Sequence, residues 1–141
     1  FDQEAVEICR HADFMKLAAR EQGNARLLKA VRFFNVRLYR STDRRLPLAF
    51  VTDSKQRGRE TLLMCIPEYP TPMDNALQMA KITPEGWGWS SHTAGYEDCI
   101  AAAKRGVPVI EKHLRLSPND PEAPWSLDGF DFKRMVQACR G

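Results

Sequence analysis

The spacing of apolar positions changes repeatedly along the chain, and the changes mark out alternating helices and strands. Ala5, Val6, Ile8 and Cys9 group on one side of a helix over Glu4–His11, and Asp13–Ala19 follows as a short strand. Asn24 is placed to cap a helix over Ala25–Phe33, and Val36–Arg40 alternates as a strand that ends at Ser41-Thr42. Asp43–Arg59 is the least legible stretch: Leu46–Val51 reads as a strand or a short helix, Thr52–Glu60 as a loop. Thr61–Ile66 is an apolar run of the length of a buried parallel strand, stopped by Pro67, Pro70 and Pro72. A brief helix over Met73–Lys81 and a turn at Pro84–Gly86 lead to two strand-like runs, Trp87–His92 and Val107–His113, which flank a helix over Tyr96–Arg105. A loop at Ser117–Pro124 precedes a closing helix over Asp128–Arg140, with Phe132, Met135, Val136 and Cys139 at helical spacing.

Alternation of this kind predicts a parallel α/β fold with five strands. A strand–helix–strand unit makes parallel neighbours, so His92 and His113, each closing its run, emerge at the same carboxyl edge of one sheet. That edge is where α/β folds place their chemistry. A lone histidine in a strand is more often a satisfied core or surface imidazole; it is the pairing that points to a shared metal ion. No glycine-rich phosphate fingerprint follows any strand, which argues against a nucleotide-binding doubly wound domain.

The chain has 141 residues, enough for one domain with a real core and too few for a complete α/β barrel of about 250 residues. Its apolar runs fall well short of the roughly 18 residues of a membrane helix, and no signal-peptide pattern opens it. It starts at Phe1 and not at Met, which reads as a piece of something longer. The net charge is +3, and the densest basic patches are Arg44-Arg45 and Lys55–Arg59. Without interleaved aromatics or a recognition motif, these read as solvated surface and not as a nucleic-acid footprint. Cys9, Cys65, Cys99 and Cys139 are widely separated with no CxxC pair, as in a reducing cytoplasm.

The loops carry a more specific signal. Lys16-Leu-Ala-Ala-Arg-Glu21 with Asn24, Glu68-Tyr-Pro-Thr-Pro72, Trp89-Ser-Ser-His-Thr93 and Ile110-Glu-Lys-His113 stand in the order and spacing of the sialic acid synthase family, which the chain resembles. The resemblance is close over Thr61–Arg140, fair over Phe1–Asn24 and poor over Asp43–Arg59. It implies a parallel (β/α)8 barrel of the TIM type, of which this chain is a single domain, residues 1–141, holding strands four to eight without the antifreeze-like C-terminal domain. It implies a metal-assisted condensation of phosphoenolpyruvate with an N-acylated amino sugar, giving a nonulosonic acid and phosphate. His92 and His113 match the family's metal ligands, with Mn²⁺ or Mg²⁺ as the ion. Lys16, Ser41 and Ser90 match groups that hold phosphoenolpyruvate; Asn24 and Tyr69 lie on substrate-facing loops, and Glu21 matches an acid near the sugar. Glu111 is expected to point away from His113 by strand alternation.

Departures from the family pattern bear on the reaction. Ala19-Arg20 replaces Ser-Gly, Ser41-Thr42-Asp43 replaces Ser-Thr-Gly, and Ser90-Ser91-His92 replaces Ser-Asp-His. The family's Gly-Pro-Asp after strand eight is missing from a shortened loop, where Asp120 or Glu122 could replace the catalytic aspartate. Two readings follow: a condensing synthase, or a divergent, non-catalytic barrel relative that binds or assembles. Either way, strand edges and barrel interior need a cover, from missing N-terminal strands or from a homo-oligomer partner.

Overall fold

The computed structural model describes residues 2–18, 25–34, 36–42 and 60–141. The elements are α1 (Asp2–Ile8), β1 (Phe14–Leu17), α2 (Ala25–Phe33), β2 (Arg37–Thr42), β3 (Glu60–Cys65), α3 (Met73–Lys81), β4 (Gly88–Ser91), α4 (Glu97–Arg105), β5 (Ile110–Lys112) and α5 (Gly129–Arg140), with a 3-10 turn at Ala123–Trp125. Strand order in the sheet follows chain order, β1-β2-β3-β4-β5. The chain divides into two compact units, Phe1–Leu62 and Leu63–Gly141.

In the first unit β1 and β2 run parallel, with Phe14 opposite Arg37 and Leu17 opposite Arg40. Leu27 and Val31 lie four apart on one face of α2 and bury against Cys9, Leu17, Val36 and Leu38. Arg40 donates to Glu60 at 2.6 Å, a pair shielded from water on both sides. The segment expected to hold the least legible element, Asp43–Arg59, lies outside the described residues.

In the second unit β3, β4 and β5 are parallel, with Cys65 opposite Ser90 and Ser91 opposite Lys112. Helices α3 and α4 present small residues, Ala76, Ala80, Cys99 and Ala102, which let Trp89, Met64 and Met135 fill the space between helices and sheet. Trp89 is 1% exposed, and burial of an indole stabilises by about 4–6 kcal/mol as an upper figure. Gly88 is required by close packing: a Cβ there would lie 2.6 Å from the backbone oxygen of Val109 and collide with the Leu63 side chain. Gly106 takes φ +83° just past α4, where a left-handed residue closes the helix.

Most expected elements are present, with shifted ends. Helix α1 stops at Ile8, three residues short, because Arg10 and His11 turn back onto Glu7 and Ile8 in i to i−3 bonds. Strand β5 starts only at Ile110, since Pro108 has no N–H to give to a ladder. The loop after β5 is more ordered than its prolines suggest. Leu114 bridges Leu127, and the Arg115 guanidinium donates to the Ala123 and Ser126 carbonyls at 3.0 and 3.1 Å.

Candidate functional site

Strands β4 and β5 end at Ser91 and Lys112, so His92 and His113 each lie one residue past a strand, at the same edge. Their ring centroids are 5.5 Å apart. His92 is 2% exposed and held on two sides by the turn after β3. Its Nδ1 lies 2.8 Å from the Ile66 carbonyl, and its own carbonyl accepts from Thr71 N at 2.8 Å. Thr71 in turn closes the turn by donating to Glu68 O at 2.7 Å. The prolines of this segment exclude helix and strand, which leaves its carbonyls and N–H groups available to grip the histidine.

His113 is oriented from the other side. Its Nδ1 lies 2.9 Å from Glu122 Oε2, and Leu127 N donates to its carbonyl at 3.0 Å. Glu122 is fixed through its backbone, whose carbonyl accepts from Ser126 Oγ at 2.7 Å and whose N–H donates to Asp120 Oδ1 at 2.9 Å. Carbonyl and carboxylate oxygens only accept, so both Nδ1 atoms carry the proton, and in the neutral rings both Nε2 atoms keep their lone pairs. His113 Nε2 is buried with no hydrogen-bond partner. This is the arrangement of metal-binding imidazoles, in which the far nitrogen donates to a carboxylate or carbonyl and the near one faces the ion. Among the described residues no group of three or more His, Cys, Asp or Glu side chains is placed to hold a metal. A metal here would take two protein nitrogens and complete its shell with other oxygens.

Rings and hydroxyls surround the pair. Tyr69 lies 4.2 Å from His92 and 6.5 Å from His113, centroid to centroid, and is 46% exposed. Trp125 stands 5.5 Å from Tyr69 and 6.5 Å from His113, with its indole N–H buried and unpartnered. Ser90 Oγ is 3.4 Å from His92 Nε2 and donates to Glu111 Oε2 at 2.5 Å. Glu111 stands opposite Ser90 in the register, so alternation places both on the face that His92 shares. His113 follows Glu111 by two residues, so alternation sets the two on one face, and the expectation that Glu111 points away from His113 does not hold: Glu111 reaches Ser90 beside His92.

Of the acids expected in the last loop, Glu122 touches His113, whereas Asp120 closes its own turn. Lys16 lies in β1 opposite Tyr39, and Ser41 is buried in β2. Glu21 and Asn24 lie outside the described residues. Two participants had no clear signal in the sequence: Trp125, a single aromatic in a proline loop, and Lys112. The latter is a lysine directly before His113, 7% exposed, whose pKa is pushed below the usual lysine value by burial. On the same side of the sheet burial pushes the Cys99 thiol up, with the adjacent Asp98 charge adding to the effect.

The chain matches the NeuB family along residues 1–141. It is 34% identical over 87 aligned positions to the pseudaminic acid synthase of Helicobacter pylori, covering 57% of this chain and 26% of that protein. It is 29% identical over 157 aligned positions to the N,N'-diacetyllegionaminic acid synthase of Campylobacter jejuni, covering 99% of this chain and 47% of the relative. The chain therefore spans about half or less of the length of these relatives. Among solved structures, the N-acetylneuraminic acid synthetase of Leptospira borgpetersenii superposes with a TM-score of 0.74 at 22% identity, over 91% of this chain and 49% of that one. A truncated 3-deoxy-D-arabino-heptulosonate 7-phosphate synthase from Thermotoga maritima superposes at 0.65 and 17% identity, over 99% of this chain and 62% of that one. These likenesses show the fold, five parallel strands of a TIM-type barrel. With the match along its whole length, the chain belongs to the NeuB family.

Proposed function

We propose that the chain is the metal-holding part of a nonulosonic acid synthase that condenses phosphoenolpyruvate with an N-acylated amino sugar. The observation that carries this reading is the histidine pair, both Nδ1 atoms committed to oxygens and His113 Nε2 buried without a partner. The relatives named above as synthases of sialic-type acids supply the substrate class. His92 and His113 would hold a divalent ion, Mn²⁺ or Mg²⁺. Such an ion, when bound, supplies Lewis-acid polarisation of an aldehyde oxygen.

The chain's own residues supply orientation. Ile66 O and Glu122 fix the two rings. Tyr69, half exposed beside both rings, offers an aromatic face and a hydroxyl to a sugar. Ser90 directs its proton to Glu111, so a phosphate-holding role requires that hydroxyl to turn. Lys16 and Ser41 would bind phosphate oxygens, and Glu21 and Asn24 would take part in binding the sugar. The widely separated cysteines, with no CxxC pair, suit a cytoplasmic enzyme, and no helix among the described residues is long and apolar enough to cross a membrane. The rest of the barrel would come from N-terminal strands or a second copy.

A divergent binding or assembly subunit is the second reading. It is favoured by the last loop, where Glu122 is engaged with His113 and Asp120 with its own turn, so that neither is poised as a base. One experiment separates the two. The full polypeptide is incubated with phosphoenolpyruvate, an N-acylated amino sugar and Mn²⁺, and phosphate release and pyruvyl-sugar product are measured. Product formation that disappears in His92→Ala and His113→Ala supports the synthase. Tight Mn²⁺ binding without product supports the second reading, and no Mn²⁺ binding by the parent sinks the metal assignment.

A further inference from the structure

The face of β4 and β5 turned away from the histidines carries a buried polar chain. Trp89 Nε1 donates to Asp98 Oδ2 at 2.8 Å, and Thr93 Oγ1 donates to Asp98 Oδ1 at 3.0 Å. Lys112 Nζ reaches Ser91 Oγ at 3.1 Å, Thr93 Oγ1 at 3.4 Å and, in close contact, the Thr93 carbonyl. Three ammonium protons meet three oxygens. Asp98, Thr93 and Ser91 are fully buried, and Lys112 nearly so.

The place of this lysine in the chain gives it a role. The β4–β5 register ends at Ser91↔Lys112, one residue short of each histidine. Past that point the backbone of His92 bonds to the turn after β3, and that of His113 bonds to Leu127. The Lys112 side chain spans the gap, since Thr93 follows His92 and Lys112 precedes His113. Burying an ammonium and a carboxylate costs more than an apolar filling of similar shape, so stability alone does not account for the network. We propose that Lys112 is a positioning residue, tying the two strand ends so that the histidine rings stay at their observed separation, with Asp98 anchoring Thr93 to α4. The link to function rests on the metal reading above; the geometric effect does not.

The test compares the parent, Lys112→Met and Thr93→Val in the full polypeptide, with three readouts. These are Mn²⁺ affinity, the nuclear Overhauser contact between the His92 and His113 ring protons without metal, and the thermal midpoint. Lys112→Met is expected to weaken Mn²⁺ binding about tenfold or more and to lose the ring contact, with the midpoint unchanged or raised. Thr93→Val is expected to move both readouts in the same direction by less. Lys112→Met with the parent's ring contact and with Mn²⁺ affinity within twofold would overturn the proposal, as would a lower midpoint with both preserved. If the parent binds no Mn²⁺ yet Lys112→Met loses the ring contact, the positioning role stands and the metal reading falls. If Lys112→Met does not fold, Thr93→Val decides: a parent-like contact and affinity overturn the proposal.

Discussion

Glu122 and Ile66 show how little separates a ligand histidine from an ordinary one. Each supplies one oxygen to one Nδ1, and that choice of tautomer leaves the lone pair on Nε2. Glu122 is more than half exposed, so its removal leaves His113 in place but loosely held. Glu122→Ala is expected to weaken Mn²⁺ binding about tenfold, read by titration with paramagnetic detection, with unfolding little changed. Cys99 offers a check on the opposite face. Its thiol pKa is raised in the folded state, so the unfolded chain loses that proton first as pH rises. The associated stability is fully present below the unfolded value of 9.0 and falls away above it. In urea unfolding from pH 7 to 10, the parent is expected to lose stability relative to Cys99→Ala only above about pH 9. A constant gap across that range would remove burial as the cause. The sequence placed both histidines and named Glu122 as a candidate, yet it could not say which acid touches which ring. That depends on a loop whose course is set by Arg115 and by the Leu114–Leu127 bridge.

At the scale of elements, helices α2 and α3 coincide with the spans expected from periodicity, because each has a single apolar face and a clear stop. Helix α5 starts where Asp128 caps it, its side chain accepting from Asp131 N at 2.9 Å. Asp128→Ala is expected to cost about 1 kcal/mol in denaturant unfolding. Gly88 is the stricter position, since the obstacle to a side chain is the backbone of Val109. Gly88→Ala is expected to destabilise by about 1–3 kcal/mol and to disturb the β4–β5 register, visible as lost amide protection at Trp89. Strand ends were less legible than helices. A strand stops where its partner stops pairing, and that is not written in the strand's own residues.

For the molecule as a whole, the strand order among the described residues begins at β1 and ends at β5. A parallel strand that ends a sheet invites further pairing. The 16.1 kDa chain is accordingly expected to sediment above its own mass at tens of micromolar, and a strict monomer would contradict the need for a cover. What the sequence determined by itself was local or periodic: alternating elements, a parallel sheet, two histidines at one edge and the family of the loops. These are legible because period, turn chemistry and loop spacing act between near neighbours in the chain. Only the tertiary structure decided which nitrogen of each ring is committed, that Trp125 closes on Tyr69, and that Lys112 is buried beneath the pair. Those contacts join residues brought together by packing from separate strands and loops, and a one-dimensional pattern carries no record of such distances.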